Sequence, residues 1–298
     1  MGIGRTLVFA QGKGGVGKTT LAANVSALAA AAGHRVLLLD LDQQGNIARD
    51  LGFDPNSGED LLHSLIVPIA PLPIIRGVRL NLDVVPGGPA VGDAAVLFTS
   101  RQQRGGGTLE AALAAKLTAV VDDYDLIVID TPPGDRVIVE AALAVATSVV
   151  IPTRMDEASI DGVTRIAERF VAVRDRNPDL TLAGVVLFAI ASRTTRLERD
   201  VRAALERTLG GAAPVFETRV RHLDSAAADA RRRGLLVHEL EQAAGADQTA
   251  RLKALRSGKA PAGNLYARDA SGLASDYEQL TAEILTRVVQ LEQEYAAS

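Results

Sequence analysis

At 298 residues with 47% apolar content the chain can fill one large or two small cores, and at a net charge of −4 any contact with nucleic acid must come from a local patch. The absence of cysteine excludes disulfides, thiolate metal sites and thiol nucleophiles, and aromatics at 3% leave the core to Ala, Val, Leu and Ile. No apolar run approaches the roughly 18 residues of a membrane span, and strand-forming residues begin too early for a signal peptide, so a soluble cytoplasmic protein is expected.

Thr6–Ala10 predicts a strand and Leu21–Ala32 an alanine-rich helix. Between them runs Gln11-Gly12-Lys13-Gly14-Gly15-Val16-Gly17-Lys18-Thr19-Thr20. A glycine-rich turn between strand and helix is the context a phosphate-binding loop needs, and Gly12-x4-Gly17-Lys18-Thr19 has P-loop spacing. The backbone N–H groups of Gly12, Gly14, Gly15, Val16, Gly17, Lys18, Thr19 and Thr20 would wrap the phosphates. Lys18 adds a point charge, the Thr19 hydroxyl reaches a magnesium ion, and the following helix points its positive dipole end at the same phosphates. Lys13 stands apart, because the loop points it outward, away from the phosphates that Lys18 serves. Two of the chain's five lysines lie in this one loop.

Gly33 ends the first helix, and Arg35–Asp40 reads as a fully buried parallel strand running into Asp40-Leu41-Asp42-Gln43-Gln44-Gly45-Asn46. Carboxylates at the C-terminal end of such a strand lie where open α/β sheets bind ligands. The bland alternative is a pair of loop aspartates capping a helix at Asn46. Residues 51–77 carry prolines at 55, 68, 71 and 73 and are expected to be irregular, with short helical turns near Asp60–Leu65. A strand is predicted over Leu80–Val85. Residues 89–104 show no clear pattern, and Arg101 and Arg104 precede a flexible Gly105-Gly106-Gly107 turn. Leu109–Val121 predicts an amphipathic helix.

Leu126–Asp130 is a buried strand that delivers a carboxylate ahead of Thr131-Pro132-Pro133-Gly134. A helix over 135–146, a strand over 147–151, a helix over Ser159–Arg176 that stops before Pro178, and a strand over Leu182–Ile190 follow. The class is α/β, a doubly wound, mostly parallel sheet flanked by helices.

Beyond Ile190 arginine dominates. Arg193, Arg196, Arg199 and Arg202 recur every three residues as a drifting helical stripe, either a solvated face paired with Glu198 and Asp200 or a phosphate-contacting one. Val215 belongs to a strand, Thr218–Arg221 to a turn, and a helix from Ser225 ends in Arg231-Arg232-Arg233-Gly234. At a helix C-terminus those cations stabilise the dipole by roughly 0.3–1 kcal/mol without any partner. Residues 241–272, with Lys253, Arg256 and Lys259, are expected as an insertion, either a partner loop or a mobile excursion. The last helix, 273–295, sets Leu273, Tyr277, Leu280, Ile284, Val288, Leu291 and Tyr295 on one stripe with an acidic opposite face. Such a helix docks or dimerises, whereas a membrane-surface helix carries Lys and Arg opposite its apolar side.

The K-G-G-V-G-K-T-T run resembles the deviant Walker A motif of the ParA/MinD superfamily. The second-strand aspartates, the Asp130 segment and the Thr218–Arg221 turn follow in that family's order, most like short, Soj-like ParA partition ATPases. The resemblance implies one P-loop ATPase domain over 1–298. The loop's start at residue 11 matches the short form, without an N-terminal DNA-reading domain. It implies ATP and Mg2+, with Thr19, Asp40 and Asp130 around the metal, Asp130 through water. Lys13 would cross a dimer interface to the nucleotide of the other subunit, and Asp42 would position the attacking water. A carboxylate with a pKa near 4 is a feeble base at pH 7, so orientation and late proton acceptance are expected of Asp42.

The same resemblance implies a homodimer formed on ATP binding and non-specific DNA contact through Arg221, Arg196, Arg193 and Arg219, with Arg231–Arg233 behind them. A ParB-like DNA-bound activator would stimulate slow ATP hydrolysis, and the protein would be nucleoid-associated. The asparagine that the family presents to the base after the 182–190 strand is absent, which leaves the base contact unassigned. The alternative is a MinD-like positioning ATPase at a membrane or on a protein scaffold, which calls for a basic amphipathic C-terminal helix. Cluster-bearing and arsenical-pump relatives need cysteines. An amidotransferase- or synthetase-like member would form a product other than ADP and phosphate.

Overall fold

The computed structural model describes residues 2–191, 194–257 and 270–296. The first apolar run forms β1 (Thr6–Phe9), and the alanine-rich run forms α1 (Lys18–Ala31). Then come β2 (Val36–Asp40), α2 (Asn46–Leu51), α3 (Glu59–Ile66), β3 (Ile75–Arg79), β4 (Leu82–Val85), α4 (Asp93–Gln103) and α5 (Leu109–Thr118). The middle of the chain supplies β5 (Leu126–Asp130), α6 (Arg136–Val145), β6 (Ser148–Thr153), α7 (Glu157–Arg174) and β7 (Thr181–Ile190). It closes with α8 (Thr195–Leu209), β8 (Val220–Arg221), α9 (Asp224–Arg233), α10 (Val237–Arg256) and α11 (Ala270–Ala296).

The eight strands form one sheet in the order β3-β4-β2-β5-β1-β6-β7-β8, and every neighbouring pair is parallel except β3 with β4. Alternate residues of each central strand face opposite cores, as period-two geometry requires. Val8, Leu37, Leu39 and Ile129 pack with α3 to α8, whereas Leu7, Phe9, Leu38 and Val128 pack with α1, α2 and α9 to α11. Burial on both faces explains why these strands are unbroken apolar runs. β1 lies between β5 and β6, so the loop after it emerges beside the ends of both. Among the described residues no helix is long and apolar enough to cross a membrane.

Three stretches differ from expectation. The helical turns expected near Asp60–Leu65 form α3, and the irregular reading of 51–77 is corrected at its end by β3, an edge strand antiparallel to β4. β3 is mostly exposed (Ile-Arg-Gly-Val-Arg), so no alternation of apolar and polar residues marks it. Residues 89–104 form a 3-10 turn at Pro89–Gly92 and then α4. The insertion expected over 241–272 is corrected as far as residue 256, because that part is the body of α10; residues 258–269 lie outside the described residues. Ala, Gln, Leu, Lys and Arg are good helix formers and carry the helix through Gly245.

The N-terminal end of α10 is joined to the second strand's helix. α2 and α9 both end in a left-handed glycine, Gly52 and Gly234. The two glycines meet backbone to backbone, and a Cβ on Gly52 would lie 2.8 Å from the Gly234 carbonyl oxygen. Arg79 of β3 donates to the carbonyls of Leu51 (3.1 Å) and Gly234 (3.0 Å) and pairs with Glu239 of α10 (2.5 Å).

Candidate functional site

Gly17, in the left-handed region at φ 90°, turns the chain from the glycine loop into α1, and no side chain caps that helix. The first-turn N–H groups are therefore left to an outside acceptor. Lys18 opens the helix and is 5% exposed, its ammonium 3.4 Å from the Lys13 carbonyl oxygen. Burial lowers its pKa, against the pull of Asp130 and Asp42. Gln11, which the sequence reading gave no role, fixes the base of the loop: its amide accepts from Gly12 N (2.7 Å) and donates to the carbonyls of Pro152 (3.0 Å) and Ser159 (3.2 Å).

Three carboxylates gather at the ends of β2 and β5, and two of them, Asp42 and Asp130, face Lys18. Asp40 and Asp130 are register partners at the ends of β2 and β5. Asp40 accepts from the N–H groups of Asp42 (2.9 Å) and Ile47 (3.4 Å), and Asp42 accepts from that of Gln44 (2.9 Å). Asp40 ties down the start of α2, where Gly45 rather than an aspartate takes the cap position. Burial, with repulsion from Asp130, holds Asp40 well above the usual carboxylate range. Burial pushes Asp130 up to about 7, opposed by the Thr19 hydroxyl and Lys18. Asp42 is also raised by burial, which corrects the expectation of an ordinary pKa near 4 there. Both Asp130 carboxylate oxygens are buried, and apart from the pull of the Thr19 hydroxyl they have no hydrogen-bond partner. Orphaned carboxylate oxygens beside a threonine hydroxyl suit a hard, hydrated cation such as Mg2+, so the residues fit the metal.

Lys13 points away from this cluster, as expected, but it is not unpaired. Its ammonium lies 2.5 Å from Asp156 Oδ1 and 3.2 Å from Ser159 Oγ. Asp156 is also the N-cap of α7, accepting from Ser159 N at 3.0 Å, which starts that helix two residues earlier than the sequence suggests. The Lys13 hydrogen bond holds the Asp156 carboxyl below its ordinary pKa.

A cavity of about 510 Å³ opens on the other side of the loop, between Gly15, Gly17 and Thr20 and the ends of β7 and β8. Its far wall is Phe188, Ala189, His222 and Leu223, and the Phe188 ring lies against Gly17. Among the described residues no amide side chain from the end of β7 lines it.

The expected DNA-contacting arginines divide. Arg193 lies outside the described residues, while Arg196 and Arg199 stand exposed on α8. Arg202 leaves the stripe: it pairs with Glu198 (3.2 Å) and donates to the carbonyls of Phe216 (2.8 Å) and Glu217 (3.0 Å). Arg219 pairs with the same Glu198. Arg221 makes a two-pronged contact to Asp276 of α11, both bonds 2.7 Å, and its backbone N–H donates to that carboxylate at 2.9 Å. Its guanidinium crosses Gly272, where a Cβ would collide with it. Arg231 donates to Asp50 (2.8 Å) and Thr20 (3.2 Å), and Arg232 and Arg233 both pair with Asp229. Glu198, Asp276, Asp50 and Asp229 are all buried. None of these carboxylates could be matched to its arginine from sequence spacing except Glu198 with Arg202 and Asp229 with its two, at helical separation.

The family model described as an AAA domain matches residues 4–182. Sporulation initiation inhibitor protein Soj of Bacillus subtilis is 33% identical over 195 residues, which cover 64% of this chain and 75% of Soj. Chromosome partitioning protein ParA of Myxococcus xanthus is 32% identical, over 64% of this chain and 67% of that protein. Among solved structures, cobyrinic acid a,c-diamide synthase from Mycobacterium smegmatis with bound ADP and magnesium superposes with a TM-score of 0.64 and 27% identity, covering 88% of this chain and all of that one.

Proposed function

This chain belongs to the ParA/MinD superfamily of P-loop ATPases, of the Soj type, and from that premise we propose that it is a DNA partition ATPase working as an ATP-dependent dimer. The observation that carries the reading is the contrast between its two loop lysines: Lys18 is buried and faces Asp42 and Asp130, and Lys13 faces outward on Asp156. One cation serves the nucleotide of its own subunit. The other is available to the nucleotide of a second copy once it leaves Asp156, and so ATP favours the dimer.

In this reading the loop amides and Lys18 hold the triphosphate, and Asp42, fixed by the Gln44 N–H, orients the attacking water. Thr19, Asp40 and Asp130 would hold Mg2+, which supplies charge neutralisation at the phosphates. The dimer contacts DNA without sequence preference through Arg196 and Arg199 on α8, with Arg193, Arg219 and Arg221 nearby in the chain. Arg219 and Arg221 reach DNA only at the expense of their pairs with Glu198 and Asp276. A ParB-like activator bound to DNA stimulates hydrolysis and dissolves the dimer, in the cytoplasm, on the nucleoid.

Binding to random-sequence duplex DNA at two salt concentrations, with ATP, with ADP and without nucleotide, tests this. Affinity seen only with ATP, and falling by about 0.9 log unit per log unit of salt for each phosphate neutralised, is expected. ATP turnover with no DNA affinity in any state would discard the partition reading. A second reading, an ATP-dependent synthase, rests on the 27% identity to the Mycobacterium smegmatis protein. A substrate-dependent product besides ADP and phosphate would establish it in place of the first.

A further inference from the structure

Arg154 is the first residue after β6, the strand next to β1, and it lines the cavity together with Gly15 and Gly17 of the phosphate loop. Its Nε is buried and has no hydrogen-bond partner. A buried guanidinium donor is ordinarily satisfied, so an orphan of this kind calls for an acceptor that arrives from elsewhere.

No side chain lining the cavity accepts from it, although Asn24 of α1 also keeps an unpartnered side-chain oxygen there. Two carboxylates line the cavity. Asp50 is taken by Arg231 and Thr20, and Asp224 lies on the exposed rim, 3.1 Å from His222. The aromatic wall does not serve either, because among the described residues the guanidinium–ring contacts are Arg101 with Phe98 and Arg174 with Phe170. What is left is a fork of N–H donors beside a loop whose own amides and helix end select anions.

We propose that Arg154 is a further nucleotide contact, donating to phosphate oxygens of the bound nucleotide in its own subunit. The inference deepens the ATPase reading and rests on it. Lys18 serves the phosphates from the α1 side, where Asp42 and Asp130 face it. Arg154 approaches from the β6 side, where the loop's own side chains supply no cation that is not already held, Lys13 being on Asp156. Two cations on opposite sides fix the orientation of the phosphate chain better than one, and a planar fork does so with more geometric demand than an ammonium.

The test is the affinity of a fluorescent ADP, mant-ADP, for wild type, R154Q and R154K, in a Lys13→Ala background so that dimerisation does not enter. R154Q should bind about tenfold or more weakly, and R154K should recover part of the loss. The melting midpoint without nucleotide should stay at the wild-type value, while the rise produced by ADP shrinks. Unchanged mant-ADP affinity in R154Q would overturn the assignment. So would a defect confined to ATP-driven dimerisation in the Lys13 form, which would give Arg154 an acidic partner on the second copy. A midpoint that falls without nucleotide would make it a structural residue. Wild-type protein that binds no mant-ADP would instead overturn the nucleotide reading itself.

Discussion

At the ends of β1, β2 and β5 the chemistry comes from backbone amides and from side chains set by short spacings. Beyond β7 the arginines are held by carboxylates from distant parts of the chain. Arg221 takes Asp276, 55 residues on, and Arg231 takes Asp50, 181 residues back. The first region works because local geometry already aims its donors at a ligand, so its members can be named before the fold is known. In the second, the same residue type serves as helix tether, interhelical bridge or free surface cation according to which buried acid it meets.

The sharpest test of the first region is Lys18→Ala. Removing the buried ammonium that faces Asp42 and Asp130 should cost about 10²- to 10³-fold in ATP turnover, measured by phosphate release. Near-normal turnover would break the claim that this end is locally encoded. Asp42→Ala should cost about 10²-fold in the same assay. In the proposed cycle it should also leave an ATP-bound dimer that light scattering detects after wild type has returned to monomer.

Arg221→Ala probes the second region. It strands Asp276, which is 7% exposed, without its cation. Because the guanidinium itself is half exposed, a loss of about 1–2 kcal/mol in urea unfolding is expected, below that of a fully buried pair. DNA affinity should suffer less than in Arg196→Ala. Loss of DNA affinity at unchanged stability would return Arg221 to the DNA surface and erase the distinction.

The smallest effect belongs to Asp156→Asn. An asparagine still caps α7 but holds Lys13 more weakly, and the pair is partly exposed on both sides. ATP-driven dimerisation should then occur at about two- to fivefold lower protein concentration. An unchanged midpoint in a concentration series would show that the Lys13–Asp156 contact does not oppose association.

Most of the fold was legible because its strands are buried on both faces: Val36–Asp40 and Leu126–Asp130 are continuous apolar runs, each ending in a carboxylate. The loop between β1 and α1 was legible for a similar reason, since strand, glycines and helix leave it one conformation. β3 was not, being exposed and short. α4 was not either, because it buries little more than Ala94 and Phe98 and so carries no strong stripe. α10 differs from expectation because polar, alanine-rich sequence suits a mobile segment as well as a helix packed on a neighbour. Arg154 falls between the strand over 147–151 and the helix from Ser159, where the sequence assigns it no role. Nothing in Ile151-Pro152-Thr153-Arg154 tells that its Nε will be buried beside Gly15 and Gly17 with no acceptor.

The meeting of Gly52 and Gly234 has a mechanical meaning. α2 is only six residues long and is fastened at both ends, by Asp40 at its first turn and by Gly234 and Arg79 at its last. A body so short cannot absorb a displacement by bending, so whatever shifts the Asp40–Gly45 segment pushes on the joint between α9 and α10. α10 extends from that joint for 20 residues, about 30 Å. A rotation of about 5° at the joint would therefore carry its far end by roughly 2.5 Å over that length. Because α10 also packs on α11, the joint ties the carboxylate loop to that pair of helices through two backbones in direct contact.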